Sequence, residues 1–244
     1  MIRQRVVVIV QARMGSTRLP GKVLMDLAGR PMVEHVLRRA RLIPGIDAVV
    51  LATTTRAEDD ALAARCAAGG WASVHRGPAD DVLERYRLTA EAERADVVVR
   101  VTADCPLLSP AVSGMVVHRL LDAGGALDYV TNTRTRSFPR GLDTEAFTMA
   151  ALRAAAAEAV SPDEREHVTP FIWLRPQRFR IAEVVDTRDR SGLRWTVDAP
   201  ADFTLASRLH EELRGREDFE YGDVLAVIER HPDWSDLNRD VEQK

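Results

Sequence analysis

Lysine is nearly missing from this chain. Of the 34 basic residues among 244, all are arginine except Lys22 and Lys244. Cysteine is equally scarce, and Cys66 and Cys105 offer neither a disulfide framework nor the paired spacing of a metal knuckle. No apolar run approaches the roughly eighteen residues of a membrane span. The opening MIRQRVVVIVQARMG has too short an apolar core for a secretory leader. A formal net charge of -3 leaves no global basic footprint for nucleic acid. These absences describe a cytoplasmic, reduced protein with no membrane and no nucleic-acid partner. At 45% hydrophobic residues the chain can still bury a sizeable core, as one large domain over 1–244 or a domain with an arm.

What is present is unevenly placed. Residues 1–41 hold nine Arg or Lys against Asp26 and Glu34, in a chain that is acidic overall. Arg38, Arg39 and Arg41 belong to the solvated side of a helix pattern. Arg13, Arg18 and Lys22 do not, because they lie in QARMGSTRLPGKVL, a loop that directly follows the apolar run VVVIV.

Strand-like and helix-like segments alternate through the first half. VVVIV (6–10), AVVLAT (48–53), ASVHR (72–76) and VVVRVTA (97–103) read as strands. Between and after them run amphipathic patterns. The first, PMVEHVLRRARLI, puts Met32, Val33, Val36, Leu37, Ala40 and Ile43 on one stripe. RAEDDALAARCAA and ADDVLERYRLTAEAE are the next two. SPAVSGMVVHRLLDAG follows, with Ser109 as its cap. Continuous Val/Ile runs separated by helices predict a doubly wound α/β fold, which receives ligands beyond the carboxyl ends of its strands. After residue 126 the rhythm loosens. Extended segments, the helices MAALRAAAAEA and DEREHVTPFIWLRP, and the strands RFRIAEVVD and LRWTVD precede closing helices at 199–214 and 221–230. An arm is expected within about 126–180.

Two phosphate-loop signatures can be tested against QARMGSTRLPGKVL. Five residues separate Gly15 from Gly21, and Val23 follows Lys22, so the Walker spacing fails. No G-x-G-x-x-G occurs in the loop either. What remains is a strand-to-helix loop whose N–H groups and cations suit a triphosphate. A lone lysine amid arginines suggests a compact, mobile ammonium on a phosphate oxygen. The alternative is an ordinary surface cation.

Asp104 in VRVTADCPLLSP and Asp198 in LRWTVDAPADF each end an apolar strand pattern two residues before a proline. Each taken alone reads as a helix cap or loop carboxylate. As a pair they suggest a divalent site built from separate strands, since Mg²⁺ takes one or two carboxylates plus phosphates and waters. Cys105 is read as a small apolar neighbour. His35, His75, His118, His210 and His231 fit helix faces, a strand end and helix ends, where a cation suits the dipole. Trp71, Trp173, Trp195 and Trp234 read as core or interface.

In order along nearly the whole chain, QARMGSTRLPGKVL, VVRVTADCPLL, FPRGLDTEAF, DEREHVTPFI and RWTVDAPADF resemble the SpsF-like spore-coat polysaccharide proteins. These fall in the cytidylyltransferase family with the CMP-Kdo and CMP-acylneuraminate synthetases. The resemblance implies a nucleotide-diphospho-sugar transferase fold, a three-layer α/β sandwich with a mostly parallel mixed sheet and a dimerising arm. It implies a CTP-dependent enzyme that transfers CMP to a sugar, sugar acid or related acceptor and releases pyrophosphate. Arg13 and Lys22 look like the triphosphate pair, in a loop of Gln11, Ala12, Gly15, Ser16 and Thr17. Ala52 and Thr53 fall where relatives receive base and ribose, and Arg76 and Asp81 in a further nucleotide segment. Asp104 and Asp198 match the Mg²⁺ carboxylates. Arg140, Gly141, Asp143, Glu145, Glu166 and His167 resemble the acceptor region, although 131–170 lacks the Kdo and sialic-acid signatures. A sandwich-fold glycosyltransferase and a non-catalytic nucleotide-binding subunit are the alternatives. The first is disfavoured by Asp104-Cys105-Pro106 where such enzymes carry Asp-x-Asp.

Overall fold

The valine runs become the centre of a seven-stranded sheet. A computed structural model describes residues 3–214, 216 and 218–242. In chain order the elements begin with β1 (Val6–Gln11), β2 (Asp26–Leu27), β3 (Arg30–Pro31), α1 (Met32–Ala40) and β4 (Ala48–Thr54). Next come α2 (Asp60–Ala68), β5 (Ser73–Gly77), α3 (Val82–Ala92), β6 (Val97–Thr102) and α4 (Pro110–Leu121). Then follow β7 (Tyr129–Thr131), β8 (Glu145–Thr148), α5 (Met149–Glu158), α6 (Pro162–His167) and α7 (Pro170–Trp173). β9 (Ile181–Glu183), α8 (Pro200–Glu212) and α9 (Tyr221–Arg230) close the described chain.

The sheet order is β5-β4-β1-β6-β8-β7-β9, while β2 and β3 form a small hairpin of their own. β5, β4, β1 and β6 are mutually parallel, and β8 runs antiparallel to both its neighbours. Alternation of side chains explains the three layers. Val6, Val8 and Val10 pack in one cluster with residues of α1, α2, α4, α8 and α9. Val7 and Ile9 face the other cluster, formed with α3, α5 and α7. The stripe Met32, Val33, Val36, Leu37 and Ala40 is fully buried, each large aliphatic contributing about 1.5–3 kcal/mol relative to exposure. Within 126–180, β7 and β8 join the main sheet.

From β1 the chain steps outward through α1 to β4 and through α2 to β5. It then returns through α3 to β6 on the other side of β1. The crevice between the carboxyl ends of β1 and β6 is therefore the topological switch point. Gln11 and Thr102 lie in register there, so the loops they start face each other.

One expected strand does not form. LRWTVD makes only an isolated bridge, Arg140 to Arg194. That bridge consists of Arg140 N–H to Leu193 C=O at 3.0 Å and Trp195 N–H to Arg140 C=O at 2.6 Å, and Val197 N–H then donates to Asp104 C=O at 2.8 Å. Gly141 permits that crossing at φ +106°, where a Cβ would lie 2.6 Å from the Thr196 nitrogen. The segment is a strap over the strand ends, and it carries Asp198 toward Asp104. RFRIAEVVD keeps only Ile181–Glu183 as strand.

Candidate active site

The loop after β1 is tied down at several points. Met14 N–H donates to Asp59 Oδ1 at 2.6 Å, and Gly21 N–H to Met14 C=O at 3.1 Å. Ser16 Oγ accepts from Leu19 N–H at 3.3 Å. Gly21, at φ 70°, starts a one-turn 3₁₀ helix over Lys22–Leu24 and turns Lys22 inward. Arg13 stays exposed, and its guanidinium has no hydrogen-bond partner among the described residues.

Lys22 is only 8% exposed, and its ammonium joins three separate segments. Nζ donates to Val197 C=O at 2.6 Å, Asp198 Oδ1 at 2.9 Å and Asp104 Oδ2 at 3.3 Å. Asp198 Oδ2 also meets Arg18 and Arg194, each at 3.0 Å. Arg194 grips Asp202 at 2.8 and 3.1 Å. Asp202 in turn accepts Asp198 N–H and Ala199 N–H at 2.9 Å each, which caps α8. Ala199, not Asp198, is thus the cap position, and Asp198 is left free for the cluster.

Burial alone lowers the Lys22 pKa, but the charges of Asp104 and Asp198 outweigh it and raise the value above 10.5. Burial would lift Asp198, yet Lys22, then Arg18 and Arg194, hold its carboxyl below the ordinary range. Both groups are charged at neutral pH. Two carboxylates converging on one cation also suit a divalent ion that completes its shell with phosphate and water. No cluster of three or more potential metal ligands exists among the described residues, so protein groups alone would not enclose a metal.

The opposite wall is α6. Glu166 and His167 are exposed at its end, with His167 Nε2 3.4 Å from Asp163 Oδ1. Val168 follows at φ 73°, ψ -54°, and Thr169 N–H donates back to His167 C=O at 2.8 Å. That is a γ-turn, a strained conformation for a β-branched residue. Glu145 anchors it from below, accepting Thr169 Oγ1 at 2.6 Å and Tyr129 Oη at 2.5 Å on one oxygen and pairing with Arg100 on the other. Arg100 Nε reaches Gln11 Oε1 at 3.3 Å. Glu145 therefore supports the wall from the interior and does not line it.

A cavity of about 380 Å³ brings together Gln11, Ala12, Arg13, Gly15, Ser16, Thr17, Lys22, Asp104, Asp198, Glu166 and His167. It adds Arg18, the third cation of the loop, to which the motifs give no role, and Arg85, which they did not single out. Arg85 is 2% exposed and donates to Pro78 C=O at 2.6 Å, and its Nε has no hydrogen-bond partner among the described residues. The signal for it lay in RGPADDVLERY, where it falls one helical turn beyond Asp81 on the buried face of α3.

The remaining expected residues do not line this cavity. Ala52 and Thr53 are buried in β4 beside β1, and Thr53 Oγ1 has no hydrogen-bond partner among the described residues. Arg76 holds Thr54 C=O at 2.8 Å and pairs with Asp60. Asp81 caps α3 by accepting Glu84 N–H at 2.9 Å, and takes Arg165 Nε at 3.0 Å. Arg140 and Gly141 brace the strap, and Asp143 pairs with Arg136 at 2.6 Å. Cys105 is buried, and that burial pushes its thiol well above the ordinary range, as suits an unreactive neighbour. His210 departs from the expected cationic role. Burial, with the charges of His35 and Arg39, depresses it to about 3, so it is neutral. Trp71 and Trp195 are core residues.

A larger cavity of about 520 Å³ lies between the β2–β3 turn, α1 and the end of α8, and shares no lining residue with the first. Its Arg30 and Arg38 share Glu34, Arg214 pairs with Glu211 and Arg216 with Asp223, and Arg39, expected on the solvated helix face, is instead 3% exposed and donates to the Leu108 and Phe219 carbonyls.

Similarity to known proteins fixes the family and the fold. A family model described as cytidylyltransferase matches residues 7–225. The spore coat polysaccharide biosynthesis protein SpsF of Bacillus subtilis is 30% identical, covering 92% of this chain and 94% of its own. A solved cytidylyltransferase from Leptospira borgpetersenii superposes with a TM-score of 0.90 at 31% identity over 99% of both chains. A CMP:2-keto-3-deoxy-manno-octonic acid synthetase complexed with CTP shares the fold, with a TM-score of 0.64 at 22% identity over 85% of this chain and 99% of that one. With a buried lysine set between Asp104, just beyond β6, and Asp198 on the strap, at the switch point of a mixed sheet, this chain belongs to the cytidylyltransferase family and is a nucleotidyltransferase.

Proposed function

We propose that this enzyme transfers CMP from CTP to an oxygen of a sugar-acid or related sugar acceptor, in the assembly of a polysaccharide or similar glycoconjugate. The observation that carries the reading is the convergence of Arg13, Lys22, Asp104 and Asp198 on one cavity, in a chain similar to SpsF over nearly its full length. The acceptor oxygen attacks the α-phosphorus in line, a new P–O bond forms, and the bond to the β-phosphate oxygen breaks to release pyrophosphate. The chain's part in such a reaction is positioning and charge stabilisation.

In this reading the N–H groups around Gly15, Ser16 and Thr17 cradle the phosphates, and Arg13 and Lys22 neutralise charge growing on the leaving pyrophosphate. Arg85 lines the same cavity from α3 and adds positive charge to the phosphate side. Glu166 and His167 hold the acceptor. Asp104 and Asp198 hold a divalent cation of the Mg²⁺ kind, which supplies Lewis-acid stabilisation of phosphate charge when bound. Ala52, Thr53, Arg76 and Asp81 shape the nucleotide side from behind. Arg140, Gly141, Asp143 and Glu145 brace the acceptor side.

A pyrophosphate-release screen tests this, crossing four nucleoside triphosphates with sugar, sugar-acid and phosphate acceptors. Release with CTP and a sugar-type acceptor is expected. Release with GTP alone, or turnover of a nucleotide sugar with no triphosphate, overturns the reading. A cytoplasmic homodimer belongs to the same proposal, and light scattering on the purified chain checks the mass. No described helix is long and apolar enough to cross a membrane.

A further inference from the structure

The Lys22 ammonium stands on the same two carboxylate oxygens that a metal would need. It lies 2.9 Å from Asp198 Oδ1 and 3.3 Å from Asp104 Oδ2, and Val197 C=O fixes it at 2.6 Å. The surrounding charge is already balanced, since Lys22, Arg18 and Arg194 meet Asp104, Asp198 and Asp202. A divalent ion brought alone to this pair would meet a neutralised cluster and an ammonium at contact distance, where like-charge repulsion is strong. Nucleotide changes that balance. Its phosphates bring negative charge to the cavity and offer the ammonium a second set of oxygens. A four-carbon stem lets Lys22 shift to them, as the rigid fork of an arginine would not.

Resting on the nucleotidyl-transfer reading above, we propose that Lys22 is an internal competitor for the divalent cation. It holds the Asp104–Asp198 pair against free metal and releases it when nucleotide phosphate takes over the ammonium. Metal affinity thereby depends on nucleotide, and the site selects a metal–nucleotide pair over metal alone. This also accounts for the one internal lysine among so many arginines.

The test is direct binding of Mn²⁺ to the full chain, read from the electron-spin resonance of free Mn²⁺ at fixed ionic strength. Wild type should bind Mn²⁺ weakly alone and much more tightly with CTP. Lys22→Met keeps the apolar stem and removes the charge, and should bind Mn²⁺ without nucleotide roughly tenfold to a hundredfold more tightly than wild type. Lys22→Gln serves as a second variant, with thermal melting to show that both fold. Adding Asp104→Asn to Lys22→Met should abolish the gain. Equal nucleotide-free affinity in wild type and both Lys22 variants overturns the competition. If Asp104→Asn still removes the CTP-dependent binding in that case, the metal reading stands without it. A gain that survives Asp104→Asn overturns both.

Discussion

The two ends of the cavity are built on opposite plans. At the Lys22 end Lys22, Arg18, Arg194, Asp104, Asp198 and Asp202 are joined in one ion-pair cluster, and Lys22, Arg194 and Asp202 are almost fully buried. At the α6 wall Glu166 and His167 are exposed, and the order lies beneath them, where Glu145 anchors Thr169 behind the Val168 turn. The difference teaches where each part of the work is done. Charge on a triphosphate is the same in every turnover, so a fixed and preorganised cluster suits it. If Glu166 and His167 hold the acceptor as proposed, such a wall needs an outer surface that can change and an inner support that cannot.

The largest expected break is at the first end. Asp104→Asn should lower the rate of pyrophosphate release by about a hundredfold to a thousandfold. Melting should change little, because the Asp104 side chain is 27% exposed and Asp198 still holds Lys22. Single-turnover assays beside a thermal melt separate the two. Next, Glu145→Ala should cost about 3 kcal/mol of stability in a denaturant titration, since it strands the partly buried Arg100 without its carboxylate and deprives Tyr129 and Thr169 of theirs. If Glu145 instead touched acceptor directly, stability would hold and acceptor KM alone would rise.

A smaller effect sharpens the contrast on the wall's outer face. Glu166→Gln and His167→Ala should raise acceptor KM several-fold, on the order of 1 kcal/mol each, and leave CTP affinity and melting unchanged. The smallest effect is in pH. Asp198 has a folded pKa below its ordinary 3.8, so it contributes stability above that value and loses it as pH falls through the folded one. Lys22 is raised above 10.5, so its contribution is full below that pH and fades above it. Lys22→Met should flatten both limbs of a melting-temperature profile, and an unchanged acid limb would mean the pairing contributes nothing.

The parallel half of the sheet was legible because it is locally encoded. VVVIV, AVVLAT and VVVRVTA are buried on both faces almost throughout, as near-continuous apolar strands require, and ASVHR is the half-exposed edge strand beside them. The other half was less so. LRWTVD alternates like a strand, yet its bonding partners are Arg140 and Asp104, far away in sequence. The γ-turn at Val168 left no glycine to mark it, and His210 looked like a helix-end cation until burial made it neutral.

By itself the sequence determined the strand-and-helix alternation, the loop with Arg13 and Lys22, and aspartates at two strand-like ends, because propensity and periodicity act over a few residues. Only the tertiary structure decided that Lys22 spans 82 residues to Asp104 and 176 to Asp198, that Arg18 and Arg194 share Asp198, and that Glu145 lies behind the wall. Ion pairing in a buried site depends on which loops the strand order brings together and how much water they exclude, and no local pattern carries that information.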